Sequence, residues 1–152
     1  MINSRKTFPT VLAALLLLIG CNQQPSSGLA TVTMQLGGKS FTLEVADRTA
    51  TRAFGLMRRD SLSADGGMIF IFDREEERRF WMKDVRFPLD ILYIDSTGKV
   101  VSVKQMKAYD TSSTPSEGPA QYAIELNEGA AKSAGVKAGM TLKLPPGVKA
   151  KD

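Results

Sequence analysis

The 152-residue chain contains no histidine. That absence removes the side chain that most often acts as a base near neutral pH and as a transition-metal ligand. It also removes every Ser-His-Asp arrangement. Cysteine occurs once, at Cys21, so no disulfide can form within the chain and the fold must rest on its core. Without histidine or a second thiol, zinc is not expected. No Asp-x-Asp-x-Asp loop for calcium is present, and no Ser-x-x-Lys motif stands in a fitting context. No apolar run reaches the ~20 residues of a membrane-spanning helix. Aromatic residues make up only 7% of the chain, with a single tryptophan, Trp81. No repeat or second domain is visible, and the length suits one domain with its own core.

What is present begins with an address. Arg5 and Lys6 precede "VLAALLLLIG", which stops at Cys21. The run is too short to span a bilayer and reads as the apolar region of a signal peptide over residues 1–20. "LIGC", residues 18–21, resembles a bacterial lipobox. The resemblance implies cleavage before Cys21, a diacylglycerol on its sulfur and an acyl chain on its new amino group. Several chains anchor stably where one binds only marginally. The plainer alternative is a secreted protein with a free thiol. Asn22, rather than Asp, after the lipidated cysteine implies the periplasmic side of the outer membrane in a Gram-negative host. Cleavage also removes Arg5 and Lys6 from the formal +4 charge, leaving 18 cations against 16 acids. Export and this near balance make nucleic acid an unexpected partner.

"NQQPSSGLA", residues 22–30, is small and polar, as a tether would be. One globular domain is expected over 31–146, with a tail at 147–152. "TVTMQL", a Gly-Gly turn and "SFTLEV" predict a hairpin. Ala50, Ala53, Phe54 and Met57 fall on one helical face, with Asp47 or Thr49 as cap. "MIFIF" reads as a strand buried on both sides, and "DREEERR" as a solvated loop. "LDILYID", the turn "STGK" and "VVSVKQM" predict a second hairpin. A long polar loop, "YDTSSTPSEGP", precedes a strand in "QYAIEL". "NEGAAKSAG" predicts a helical turn ended by Gly135, and "MTLKL" a last strand. The expected fold is mainly β, an α+β chain of seven or eight short strands and two small helices. Its strands should form a small antiparallel barrel-like or compact sheet.

"GLMRRDSL", "GGMIFIF", "FWMK", "PLDILYID" and "YAIELNEG" follow one another in this order. Together they resemble the family called domain of unknown function 192, small bacterial and archaeal proteins, over about residues 55–139. The resemblance implies a compact, mostly β fold with small helices, often exported or membrane-anchored, and carries no established activity. Two departures stand out. The family usually continues "FWMK" with Asn-Thr, where this chain has Asp84-Val85. It usually has Gly-Asp where this chain has Gly139-Met140. Asp84 can accept hydrogen bonds but cannot donate as an amide does.

Candidate site residues concentrate in "FWMKDVRFPLDILYID", residues 80–95. On a strand Trp81 and Lys83 share one face while Phe80 and Met82 share the other, so one face packs the core and one is open to bind. Asp90 and Glu125 interrupt apolar strands. A pair of carboxylates within several ångströms would supply an acid and a base. In the structural alternative Asp90 ties down a turn or pairs with an arginine, Arg58 or Arg86. Met57, Met68 and Met82 would suit Cu(I) if they met, but methionines beside apolar runs are ordinary core filling. No metal and no cofactor is expected.

The reading that follows is a lipid-anchored envelope domain with a cleft built from Trp81, Lys83, Asp90, Arg58 and Glu125. Its partners would be the membrane, through Cys21, and a small molecule, glycan or envelope protein. The alternatives are a hydrolase using Asp90 and Glu125, and an assembly factor marked by an exposed apolar patch.

Overall fold

The computed structural model describes residues 27–150. The signal peptide, the lipobox and Cys21 lie outside the described residues. Alternation builds the first hairpin as expected: β1 (Thr31–Leu36) and β2 (Lys39–Ala46) pair antiparallel. Met34, Leu36, Phe41, Leu43 and Val45 are buried from it. In its turn Gly37 has φ of 56°, and a Cβ there would stand 2.1 Å from the Ala134 carbonyl oxygen. Only glycine lets the turn close on that carbonyl, which also accepts the Gly38 N–H at 2.8 Å.

Helix α1 (Thr49–Phe54) is shorter than its apolar spacing predicted, and none of its residues is buried. Its N-cap is Arg48, not Asp47 or Thr49, with the Thr51 hydroxyl accepting the Arg48 N–H at 3.1 Å. Gly55, at φ of 50°, ends it before Met57 can extend the face. The core contact comes instead from the following turn, where Leu56 is buried.

The largest departure from the sequence reading lies in the two charged and polar segments. Strand β3 (Gly66–Phe80) continues through "DREEERR", and β6 (Thr114–Asn127) takes up most of the expected polar loop. Their antiparallel ladder slips: Ile71 faces Tyr122, yet Glu76 faces Ala120. Five steps on β3 thus oppose two on β6, and the excess bulges outward. Arg78 closes this bulge. Only 9% exposed, its guanidinium lies 3.8 Å from the Phe72 ring centroid. Its Nε donates to the Ala120 carbonyl at 3.1 Å, and its backbone N–H to the Ser116 hydroxyl at 2.9 Å. A desolvated cation on an aromatic face is worth ~2 kcal/mol, enough to hold a run whose neighbours are all solvated.

The second hairpin forms as expected from β4 (Leu89–Ile94) and β5 (Val100–Met106). The strands, six among the described residues, lie in the order β1-β2-β3-β6-β4-β5. Every neighbouring pair is antiparallel except β2 and β3, which are parallel across the connection that carries α1. The mainly β expectation therefore holds, as an open mixed sheet and not a closed barrel. "MTLKL" supplies only one bridge, Thr141 to Lys99. Gly67 sits where three strands crowd: a Cβ would meet the Glu125 carbonyl oxygen at 2.6 Å and Leu43 at 2.8 Å.

Each face of the sheet carries a core. One face packs Leu43, Ile69, Leu92, Ile124 and Leu126 under α2 (Ala130–Ser133) and the segment through Leu142, with Val148 and Ala150 of the tail laid against it. The other packs Met68, Phe70, Ile91, Tyr93 and Ala123 under Leu56, Met82 and Val85. The members of both cores among the described residues lie within residues 29–150, so a chain starting at Asn22 keeps them all.

Candidate functional site

Strand register decides which of the nominated residues can meet. Asp90 stands opposite Leu126 on β6 and Gln105 on β5, whereas Glu125 stands opposite Met68 and Ile91. Directly opposed residues share a face and successive residues alternate. Asp90 therefore points to the α2 face and Glu125 to the other. The sheet separates the two carboxylates, and the paired-acid hydrolase loses its geometry.

Asp90 is 2% exposed. Its Oδ2 accepts the Ala131 N–H at 2.9 Å, so it ties down α2 instead of pairing with Arg58 or Arg86. Arg86 pairs with Asp60 at the surface. Glu125 is 4% exposed. Burial pushes its carboxyl up to about 8, against the opposing pull of the Arg59 guanidinium, so the group is largely neutral at pH 7. Arg59 itself forks onto Glu44, with Nη2 donating to Oε2 at 2.8 Å. Burial alone would raise Glu44, but hydrogen bonds from Arg59 and Ser27 outweigh it and hold this carboxyl low. Tyr93, next to Glu125, donates its hydroxyl to the Thr114 carbonyl at 2.5 Å. Burial first and the Glu125 charge second raise its pKa.

Trp81 lies just past the end of β3, and the in-out alternation persists there without the strand. Phe80 packs edge-on against Phe70, centroids 4.9 Å apart, and against Tyr93 at 5.8 Å. Met82 is buried. Trp81 is 50% exposed, with the Lys83 ammonium 5.5 Å from its ring centroid. Tyr109, from the neighbouring loop, is 61% exposed. Backbone hydrogen bonds lace the two loops together: Met82 N–H to the Asp110 carbonyl at 2.7 Å and Tyr109 N–H to the Val85 carbonyl at 3.0 Å. Arg58 joins them, its N–H donating to the Asp84 carbonyl at 2.9 Å.

Three residues of this lacing hold left-handed backbone without being glycine. Their φ values are 62° at Arg58, 55° at Asp84 and 60° at Tyr109. Each costs ~1–2 kcal/mol relative to ordinary backbone and persists only where surroundings fix it. Trp81, Lys83 and Arg58 are thus brought to one place, while Asp90 and Glu125 are each elsewhere. Tyr109 is the residue that sequence reasoning missed, and its signal was an aromatic isolated in a polar loop. Met68, Met82 and Met106 fill the core beneath, with Met57 against them. Among the described residues no three His, Cys, Asp or Glu side chains gather as metal ligands.

Fold and surface together define a small, mostly β domain with an open sheet, a core on each face and an exposed aromatic edge. The chain belongs to the family domain of unknown function 192, described as "uncharacterized ACR", whose model matches residues 31–144. Among solved structures it is similar to a Sinorhizobium meliloti protein described as a proposed transcription regulator. The two are 30% identical with a TM-score of 0.74, over 78% of this chain and 97% of that one. It is also similar to a protein of unknown function from Novosphingobium aromaticivorans, 30% identical with a TM-score of 0.71, over 80% of this chain and 90% of that one. No curated protein matches. No helix among the described residues is long and apolar enough to cross a membrane.

Proposed function

We propose that this protein is an exported domain, anchored in the cell envelope by lipid on Cys21, that binds saccharide on the surface formed by Trp81, Lys83 and Tyr109. The observation that carries this reading is the conformational lacing of two loops that hold these aromatics in solvent. Three left-handed, non-glycine residues are a cost that a passive connection does not need, and strain of this kind collects where geometry must be preset. The exposed faces of Trp81 and Tyr109 suit the apolar faces of sugar rings. Lys83 and the exposed carboxylate of Asp84, next in the chain, suit ring hydroxyls. Envelope glycan strands that carry N-acetylglucosamine present such rings. The description of the Sinorhizobium neighbour would suggest nucleic acid. The export signal and the near balance of charge in the mature chain speak against it here.

Calorimetric titration of the chain from Asn22 with N-acetylglucosamine oligosaccharides tests the reading. Saturable heat that falls about tenfold in affinity in Tyr109→Ala and in Lys83→Ala is expected, in line with stacking worth 1–2 kcal/mol. Binding that survives both substitutions unchanged would place the ligand elsewhere, and no binding to any such oligosaccharide would remove this ligand class.

A further inference from the structure

On the α2 face, Asp90 does more than hold the helix. It lines a cavity of about 300 Å³ together with Val103, Lys104, Ala131, Lys132 and Lys137. One carboxylate oxygen, Oδ2, is taken by the Ala131 N–H at 2.9 Å. No described residue reaches the other, Oδ1, with a hydrogen bond or an ion pair. Yet no fully buried side-chain oxygen among the described residues lacks a partner. Oδ1 therefore touches solvent, and in a residue 2% exposed it does so through the cavity it lines. A carboxyl oxygen that lines an open cavity without a donor on it is an acceptor awaiting one.

The rim has the opposite sign. Lys132 and Lys137 are exposed, whereas Lys104, opposite Ile91, carries its ammonium to the other face of the sheet, where Glu117 lies 3.6 Å away. Val103, Ala131 and Val136 make the walls apolar. A simple anion would be drawn to the lysines but repelled by the Asp90 floor. A simple cation would meet the reverse. A molecule with an ammonium at one end and a carboxylate at the other satisfies both, and a volume of this size lies at the small end of ligand pockets.

We propose that this cavity binds a small zwitterion, an α-amino acid or a short peptide with free ends. Its ammonium sits on Asp90 Oδ1 and its carboxylate on Lys132 and Lys137. The site is separate from the aromatic surface. Asp90 faces α2, whereas Met82 and Val85, which anchor the Trp81 loop, pack on the other face of the sheet. Failure of the saccharide reading would leave it standing.

The test uses the 15N-labelled chain from Asn22, with amide shifts of Ala131, Lys132, Gly135 and Val136 as readout. Dialanine is titrated beside alanine, N-acetyl-dialanine, dialanine amide and inorganic phosphate. Saturable shifts with dialanine are expected, with affinity at least about tenfold lower for each blocked form, as for a lost partner of a charge pair. Alanine binding as well as dialanine would assign the site to free amino acids, and weaker binding would assign it to peptide ends. Asp90→Asn should erase the preference for a free ammonium. If that variant loses α2, the exposed double variant Lys132→Gln/Lys137→Gln decides, since it should keep the fold and lose the preference for a free carboxylate. The proposal is overturned if dialanine gives no saturable shift, if all forms bind alike, if the lysine variant behaves as the parent, or if phosphate binds as well as dialanine.

Discussion

Replacing Glu125 by Gln should stabilise the protein, and by an amount that grows with pH. In the folded chain burial holds this carboxyl at about 8, against 4.5 for an exposed one. A carboxyl with a raised folded pKa binds its proton in the native state while the unfolded chain has already released it. Stability is then greatest at or below pH 4.5, falls through the window between the two values, and levels off above about 8. The slope is ~1.4 kcal/mol per pH unit. The loss is therefore about 3 kcal/mol between pH 4.5 and 7, and ~5 kcal/mol at the upper end of the window. Gln has the shape of the protonated acid and does not ionise, so it removes this loss. Urea unfolding of both proteins, followed by circular dichroism between about pH 5 and 8, measures the gap directly. The two should be similar in stability near pH 5 and separate steadily as pH rises. A gap that does not change across the window would refute the buried, neutral acid. Glu44 works in the opposite sense. Its pKa is held low in the folded protein, so its contribution is lost as pH falls below the usual carboxylate range. The two acids thus pull the stability profile in opposite directions, and Glu125→Gln should move its maximum upward.

Arg78→Ala should cost ~3 kcal/mol in urea unfolding, because it orphans the Ala120 carbonyl and strips the cation from the Phe72 ring. Arg78→Lys should not restore it, since a lysine lacks the planar fork that stacks and donates at once. Gly37→Ala drives a Cβ into the Ala134 carbonyl. It should cost about 1–3 kcal/mol and speed hydrogen exchange at the Gly38 amide. Trp81→Ala should change stability by less than ~0.5 kcal/mol, while Met82→Ala, one residue along but buried, should cost ~2–5 kcal/mol.

The two hairpins, the doubly buried "MIFIF" and the turn at Gly135 were legible because each rests on local alternation or on a glycine at a turn. The inward Phe80 and Met82 and outward Trp81 and Lys83 were legible for the same reason. What could not be read was anything fixed by a distant partner. "DREEERR" looks solvated residue by residue, and it becomes strand because Arg78 reaches back to Phe72 and across to Ala120. Asp90 and Glu125 each looked like an acid in an apolar strand. Their separation depends on β6 pairing Leu126, not Glu125, with Asp90, and a slip of one residue reverses every face. The left-handed backbone at Arg58, Asp84 and Tyr109 left no mark either, since glycine, the residue that usually signals it, is absent at all three.

The most direct test of the proposed aromatic surface is acrylamide quenching of Trp81 fluorescence in the chain from Asn22, with and without a saturating N-acetylglucosamine oligosaccharide. One tryptophan makes the signal unambiguous. A half-exposed ring should be quenched readily in the free protein and protected when saccharide covers it. Quenching that the saccharide leaves unchanged would contradict a binding surface at Trp81.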